Sequence, residues 1–226
     1  MAAKFWNRLS RECDLWKQGL ARVAGVDEAG CGPLAGPVVA AAVVFPAGWL
    51  DAGLPSKLRG LNDSKQLTEE DREKFFQRIR SHPQIHYAIA VVDVETIDRI
   101  NIRQAAWQAM NNALEQLQPR AEHVLVDGMR IRWLAYPQTA LPQGDARSYS
   151  IAAASVLAKV TRDRIMHDLD KQFPGYGFAV HKGYSTPQHF AAIRKLGPCP
   201  IHRKSFGPLK PKELELFGQD VETFKG

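Results

Sequence analysis

The sequence predicts an α/β fold, in which a central sheet is flanked by helices and followed by a smaller, loop-rich extension. Two apolar, β-branched runs, at 23–26 and 38–45, are typical of adjacent buried strands. Downstream, further short apolar runs alternate with segments of helical periodicity. From residue 174 onward, glycine and proline divide the chain into short pieces, which marks the start of the extension.

The composition is that of an ordinary globular protein with a basic balance. The 226 residues are 45% hydrophobic and 24% charged, which is enough for one full core. The net charge of +6 favours an anionic partner such as nucleic acid. Three widely spaced cysteines argue against a disulfide scaffold. The N-terminus is too polar for a signal peptide and no apolar run could span a bilayer, so we expect a soluble, cytoplasmic protein. We also expect a monomer.

Periodicity and capping signals define the order of the elements. Residues 4–20 predict an amphipathic N-terminal helix ahead of the first two strands. Thr68, followed by three acidic residues, is a typical N-cap and starts a helix that ends near Arg80. Later strands are predicted at 85–92, 123–127 and 131–136, and later helices at 94–117 with a break near Asn101, at 150–166, at 188–196 and within 209–217.

Four carboxylates stand out because each borders an apolar element and has a glycine close by. Asp27 and Glu28 follow the first strand, Asp127 ends an interior strand, and Asp145 precedes the long helix. Acids at the ends of buried strands need a cation, a proton or hydrogen bonds to offset their desolvation. Taken singly, each could be a solvated turn or capping residue. Because neighbouring strand residues point to opposite faces, Asp27 and Glu28 can serve one site only at the strand's end, or with one contributing its backbone carbonyl.

Converging carboxylates in a basic chain indicate a hard divalent cation, because magnesium prefers oxygen ligands and bridges to substrate phosphates. Two such ions would support phosphodiester hydrolysis, with one generating hydroxide and the other stabilising the leaving oxygen. No histidine–cysteine cluster offers a zinc site, and the P-loop motif of nucleotide hydrolases does not occur. Three histidines on the basic extension are interpreted as substrate-facing or structural: His181, His189 and His202.

Six ordered motifs between residues 22 and 208 resemble those of bacterial ribonuclease HII, the type 2 ribonuclease H. They are Gly-Val-Asp-Glu-Ala-Gly-x-Gly-Pro-Leu-Ala-Gly-Pro-Val-Val at 25–39, Leu-Asn-Asp-Ser-Lys-Gln-Leu at 61–67, Val-Asp-Gly at 126–128, Gly-Asp at 144–145, Ile-Ala-Ala-Ala-Ser-Val-Leu-Ala-Lys-Val-Thr-Arg-Asp at 151–163 and His-Lys-Gly-Tyr-Ser-Thr-Pro-Gln-His at 181–189.

The resemblance implies a ribonuclease H-like mixed sheet, with a catalytic domain at 1–173 and a basic, substrate-binding extension at 174–226. It implies hydrolysis of the RNA strand of RNA–DNA hybrids, and incision on the 5′ side of ribonucleotides embedded in duplex DNA. It also implies magnesium or manganese, with two ions per site in the substrate complex, held by the same four carboxylates: Asp27, Glu28, Asp127 and Asp145.

The family's loop after the Asp-Glu pair is normally Gly-Arg-Gly, and it reads the ribose 2′-hydroxyl and nearby phosphates. Here the loop is Gly30, Cys31 and Gly32. Reading by main-chain groups survives this change, but Cys31 cannot supply a guanidinium fork for phosphate. We therefore expect weaker affinity rather than loss of hydroxyl recognition. A redox-sensitive nucleophile at Cys31 is disfavoured, because nothing nearby in sequence would lower the pKa of the thiol.

By the same resemblance, Tyr184 is expected to stack against the sugar next to the junction. Lys65 and Lys182 are candidates for contacts with backbone phosphates. The alternative for Tyr184 is a tyrosine that packs a loop onto the core. Lys159 lies four residues before Asp163, so it either forms an intrahelical ion pair or contacts phosphate.

Two further segments predict contacts with partners. The run 202–204 is expected on the basic duplex-binding face, with a solvated loop as the alternative. The tail residues Glu213 to Phe217 resemble the Gln-Leu-x-Leu-Phe peptide that bacterial partners insert into the sliding clamp, although such a tail usually packs on its own domain. The alternative functional hypotheses for this chain are a type 3 ribonuclease H, a junction resolvase and a catalytically silent duplex-binding module. The Tyr184 motif and the four acids favour an active type 2 enzyme.

Overall fold

The computed structural model describes residues 8–209 and contains a mixed five-stranded sheet. The strand order is β3-β2-β1-β4-β5. The pairs β1–β2 and β2–β3 are antiparallel, whereas β1–β4 and β4–β5 are parallel, which confirms the predicted mixed sheet. The strands are β1 (Val23–Ala29), β2 (Val38–Val44), β3 (His86–Val92), β4 (His123–Asp127) and β5 (Gln138–Leu141).

Helices cover both faces of the sheet. They are α1 (Ser10–Trp16), α2 (Trp49–Ala52), α3 (Glu69–Ser81), α4 (Val94–Ile100), α5 (Ile102–Gln116), α6 (Tyr149–Gln172), α7 (Phe178–His181) and α8 (Pro187–Leu196), with short 3₁₀ turns at Ser56–Leu58, Gly144–Ala146 and Gly207–Leu209. None of these helices is long and apolar enough to cross a membrane.

The central strand β2 explains why the core has two layers. All seven of its residues are buried, which requires packing on both faces. Val39, Ala41 and Val43 contribute to the core beneath α1, α3 and α6, while the alternate residues of β2 contribute to the core beneath α5. The small side chains of α6 let it lie directly on β1, where a Cβ at Gly25 would come within 2.3 Å of the backbone of Ile151.

Most of the predicted helix boundaries are confirmed. Thr68 caps α3 by accepting a hydrogen bond from the Asp71 N–H. The predicted break near Asn101 is the junction of α4 and α5, where Asn101 has a φ of 69° and its side chain caps α5 by accepting from the Gln104 N–H. Of the N-terminal helix predicted at 4–20, the structure describes residues 8–20, and the helix spans Ser10–Trp16. The helix predicted within 209–217 lies outside the described residues, apart from Leu209 in a 3₁₀ turn.

The strand predicted at 131–136 is wrong. The fifth strand begins only at Gln138, and residues 128–137 form an irregular loop between β4 and β5. Trp133 has a φ of 59°, a left-handed conformation that a strand does not contain. Apolar and aromatic residues in this segment led to the prediction of a strand. Residues two apart on a strand face the same side, but Ile131 is buried whereas Trp133 is exposed.

The part of the extension that the structure describes packs against the rest of the fold through a small shared core, in which Tyr176, Phe178 and Ala192 join Ala35 and Met166. A single β-bridge between Ala35 and His202 ties it to the loop that joins β1 to β2. The division at residue 173 stays a prediction.

Candidate active site

Three of the four predicted carboxylates meet at one edge of the sheet. Parallel pairing places Val26 opposite Val126, so Asp27 and Asp127 follow at equivalent positions on β1 and β4. Asp145 comes from the 3₁₀ turn between β5 and α6. One carboxylate oxygen of each lies within 4.8 Å of those of the other two. Ligands of open α/β sheets bind at this carboxyl edge of parallel strands.

Backbone hydrogen bonds orient all three carboxylates. Asp127 accepts from the Gly144 N–H at 2.6 Å, which ties the end of β4 to the turn that contains Asp145. Asp27 accepts from the Glu28 N–H at 2.7 Å, and Asp145 from the Ala146 N–H at 2.8 Å. The aspartate group is therefore held in place by the fold before any ligand binds.

The electrostatics of this aspartate group favour a cation. Burial, followed by the charges of Glu28 and Asp127, raises the pKa of Asp27 well above its ordinary value. Burial and the charge of Asp127 raise the pKa of Asp145 to about 6. A hard divalent ion such as magnesium binds such a cluster of carboxylate oxygens and removes the repulsion. The residues present therefore fit a divalent metal.

Glu28 is not a member of the three-residue aspartate group. It borders the group, because the charge of Asp127 acts on it, and burial raises the pKa of its carboxyl. Its carboxylate accepts a weak hydrogen bond from the Cys31 thiol at 3.4 Å. Because Glu28 neighbours Asp27 on the same strand, its side chain leaves the strand in the other direction. A direct role in metal binding stays a prediction.

The loop from Gly30 to Gly32 follows β1 and leaves no room for a side chain at Gly30. Gly30 has a φ of 103°, and a Cβ there would lie 2.2 Å from Nε of Arg162. A Cβ at Gly32 would make an ordinary contact with the ring of Tyr184 at 3.8 Å, so the loop and Tyr184 are neighbours. Burial and the nearby Glu28 carboxylate raise the pKa of the Cys31 thiol, so Cys31 stays protonated and is a poor nucleophile.

Two buried arginines shape this loop from within. Arg203 is fully buried and donates to the carbonyls of Gly30, Cys31, Gly36 and Pro37. On α6, Arg162 is 1% exposed and donates to the carbonyls of Ala35, Pro37 and Lys182. A glycine- and proline-rich loop has few strand partners for its carbonyls, and the planar guanidinium groups supply them.

The predicted exposure of the run 202–204 is therefore wrong for two of its three residues. His202 is 1% exposed and Arg203 is fully buried, and only Lys204 faces solvent. A basic run in a loop usually lies at the surface, and nothing in the local sequence signals the carbonyls that Arg203 binds. For Arg162 a weak signal exists, because it lies on the predicted buried helix.

The remaining predicted substrate-binding side chains differ in their surroundings. Tyr184 is 42% exposed, with the Lys159 ammonium 6.0 Å and the Arg162 guanidinium 5.9 Å from its ring centre. Burial opposes protonation of Lys65, but the charges of Asp63 and of the aspartate group raise its pKa, so its ammonium stays charged beside the site. Lys182 donates to the carbonyl of Ala179.

Lys159 forms the intrahelical ion pair that its spacing predicted. Its ammonium lies 2.8 Å from the carboxylate of Asp163, and both side chains are less than one-fifth exposed. The structure therefore confirms the ion pair.

The three histidines of the extension form a packed cluster. The rings of His181 and His189 stack at 4.4 Å, and Nε2 of His189 lies 3.1 Å from Nε2 of His202. Nδ1 of His189 bonds the carbonyl of Tyr184, so this cluster lies directly behind that tyrosine. The structural interpretation of these histidines is confirmed.

We expect the histidine cluster to lower stability in mild acid. Burial lowers the pKa of His189 to about 4, below the value near 6.5 of an unfolded chain, so the unfolded state binds the extra proton between pH 6.5 and 4. The contribution of His189 to the free energy of unfolding therefore falls by about 2 kcal/mol between pH 7 and pH 5. Urea denaturation of His189→Asn at both pH values should show a smaller loss than the parent, with the exposed His167→Gln as control. Equal losses in all three proteins would contradict this assignment.

The N-terminal helix supports the turn that contains Asp145, a role the sequence did not reveal. Arg8 donates to the carbonyls of Asp145 and Leu61, and its guanidinium lies over the ring of Tyr149. The fully buried Glu12 accepts three hydrogen bonds from Ser148 and Ser150 at the start of α6. Residues 8–16 therefore stabilise the turn that contains Asp145 and the start of α6.

Comparison with known proteins decides the family. The ribonuclease HII family model matches residues 24–208. The chain belongs to the ribonuclease HII family. The curated ribonuclease HII of Ruminiclostridium cellulolyticum is 51% identical over 198 residues, which cover 88% of this chain and 74% of that protein. The ribonuclease HII of Geobacillus kaustophilus is 52% identical over 206 residues, covering 91% of this chain and 76% of that protein.

Solved structures agree with the fold. The ribonuclease H2 of Pyrococcus horikoshii OT3 superposes with a TM-score of 0.69 at 28% identity, covering 83% of this chain and 95% of that one. The ribonuclease HII in a PCNA complex from Archaeoglobus fulgidus gives 0.66 at 24% identity, with coverage of 90% and 100%. A Bst ribonuclease HIII solved with Mn²⁺ gives 0.57 at 21% identity, covering 78% of this chain and 63% of that one.

As a member of this family, the protein is an endoribonuclease, a hydrolase that cuts the RNA of RNA–DNA hybrids. Enzymes of this family use divalent metals, and the aspartate group fits that requirement.

Proposed function

We propose that this protein incises duplex DNA on the 5′ side of an embedded ribonucleotide, in addition to cutting the RNA strand of hybrids. The observation that supports the proposal best is the arrangement at the end of β1. The same strand supplies Asp27 to the aspartate group and leads directly into the Gly30–Gly32 loop. The loop that we propose to read the ribose and the carboxylate that we propose to bind metal are thus only a few residues apart on the chain.

We propose that Asp27, Asp127 and Asp145, with Glu28 at the edge, hold two magnesium or manganese ions in the substrate complex. When bound, such ions activate water and stabilise the charge of the leaving oxygen. The chain's own contribution is a set of carboxylates that hydrogen bonds have already oriented. Lys65 adds a cation beside them for the backbone phosphate.

Recognition of the ribose is proposed to come from the backbone of the Gly-Cys-Gly loop. Arg203 occupies the carbonyls of Gly30 and Cys31, so we expect the N–H groups of the loop to contact the 2′-hydroxyl. Tyr184, partly exposed beside Gly32, would stack on the neighbouring sugar, and Lys182 would contact a phosphate. The thiol of Cys31 has no required part in this recognition, since its sulfur bonds Glu28.

A contact with the sliding clamp is a separate proposal. It is supported by the sequence of residues Glu213 to Phe217, which lie outside the described residues, and by the PCNA complex in which the Archaeoglobus fulgidus protein was solved. A peptide of these residues should compete with the full chain for a bacterial clamp if the proposal is right.

The test of the main proposal compares three duplexes of one sequence: all-DNA, DNA with one ribonucleotide, and an RNA–DNA hybrid. We expect cleavage of the hybrid and a single incision at the ribonucleotide, with none in all-DNA, in magnesium or manganese but not in EDTA. Cys31→Ala should retain the same pattern. Cleavage of the hybrid without incision at the single ribonucleotide would contradict the proposal.

A further inference from the structure

The loop between β4 and β5, residues 128–137, presents an unusual surface directly after Asp127. Trp133 is 85% exposed and Met129 63% exposed, the first and third highest values among the large exposed apolar side chains of the described residues. Arg130 and Arg132 beside them are exposed as well. The loop contains no acidic residue, so its charge is entirely positive.

This surface belongs to a segment that is anchored at its centre. Ile131 is 3% exposed, and its N–H and carbonyl are both bonded by the side-chain amide of Gln138, at 2.8 and 2.9 Å. Gly128 donates to the carbonyl of Leu141, which fixes the start of the loop relative to β5. Burial of Ile131 and its two hydrogen bonds to the Gln138 amide therefore fix the backbone that carries the exposed side chains.

The backbone of Trp133 has an unfavourable conformation, and its side chain is exposed. Its φ of 59° is a left-handed conformation that bulky side chains rarely adopt. Within residues 8–209 its indole makes no aromatic, cation–π or hydrogen-bonding contact. An exposed indole on a strained backbone buries no apolar surface in the free protein, and a ligand that covers it would bury that surface.

The flanking charges identify the chemistry of that ligand. Arginines bind phosphates through several donors, and an indole face stacks on a base or a sugar. Because the loop is continuous with Asp127, it lies at the sheet edge where the scissile strand would be bound. We infer that the β4–β5 loop is a second nucleic-acid contact, in which Trp133 stacks on a nucleotide and Arg130 and Arg132 bind phosphates of the duplex beside the scissile bond. This inference rests on the proposed function.

The test combines kinetics with fluorescence on the full chain. Trp133→Ala should raise KM for the single-ribonucleotide duplex about tenfold with kcat little changed, and Trp133→Phe should restore most of the affinity. Arg130→Ala and Arg132→Ala should each lower the slope of log affinity against log salt by about one. Val91→Ala, at the opposite edge of the sheet and 48% exposed, is the matched control and should change neither quantity.

Acrylamide quenching locates the contact. Among the described tryptophans, Trp16 and Trp49 are buried and Trp107 is partly buried, so Trp133 should be the most accessible to the quencher. Trp133→Phe identifies its component of the quenchable emission by its loss. The same duplex, added in EDTA, should shield it. If the parent incises the duplex while Trp133→Ala has an unchanged KM and the indole stays quenchable, this inference fails and the proposed function stands. An exposed tryptophan that serves a protein partner would give that result. If the parent does not incise the duplex, the proposed function itself has failed.

Discussion

Replacing Asp127 by Asn is expected to reduce kcat on the hybrid by on the order of a thousandfold. The substitution keeps the size of the side chain and an oxygen that can accept from the Gly144 N–H, but it removes one charge from the aspartate group. Divalent metal then binds more weakly, and the repulsion among buried carboxylates decreases. The free energy of unfolding in EDTA should therefore be unchanged or higher.

The kinetic measurement is steady-state cleavage of a labelled hybrid over a range of magnesium concentrations. Asp168→Asn is the control, since it removes an exposed carboxylate paired with Lys171 at the far end of α6 and should leave kcat unchanged. A variant at Asp127 that keeps more than one-tenth of the parent kcat would show that this carboxylate does not serve the metal.

The second large effect concerns Arg203. Replacing it by Met removes the guanidinium that donates to the carbonyls of Gly30, Cys31 and Gly36, and each buried carbonyl left without a partner is costly. The Pro37 carbonyl keeps its hydrogen bond from Arg162. We expect the free energy of unfolding to fall by about 3 kcal/mol. The Gly-Cys-Gly loop should lose its shape, so that KM for the single-ribonucleotide duplex rises more than KM for the hybrid.

Urea denaturation and parallel kinetics on the two substrates measure these effects. Arg194→Met, an exposed arginine on α8, removes the same charge and should change neither stability nor the ratio of the two KM values. Gly30→Ala tests the loop by another route, because its Cβ would collide with Arg162 at a φ of 103°. If Arg203→Met and Gly30→Ala both keep the parent ratio of KM values, the loop does not read the ribose.

The sequence was informative where a local pattern and a physical constraint coincide. Strands β1 and β2, the cap of α3 and the break at Asn101 follow from periodicity and capping chemistry, and each is confirmed. The convergence of Asp27, Asp127 and Asp145 was predictable because each lies at or near the end of a buried element. The predicted end of the first strand at residue 26 was wrong, since β1 continues to Ala29 and pairs Asp27 and Glu28 with β2.

What the sequence did not reveal depends on contacts between distant segments. Arg203 binds carbonyls more than 160 positions away, and Arg8 reaches the Asp145 carbonyl across 137 positions, neither of which has a local signature. The segment 131–136 has the composition of a strand but forms a loop, since the amide of Gln138 binds the backbone of Ile131. Tertiary contacts override local propensity in these places.

The chemical identity of the cleaved ends tests the central claim most directly. With a duplex that carries one ribonucleotide, we expect a 3′-hydroxyl on the upstream DNA and a 5′-phosphate on the ribonucleotide, formed only with magnesium or manganese. Mass spectrometry of the two fragments distinguishes this from attack by the 2′-hydroxyl. Cleavage 3′ to the ribonucleotide that leaves a cyclic phosphate, and that persists in EDTA, would contradict a hydrolytic metal site formed by Asp27, Asp127 and Asp145.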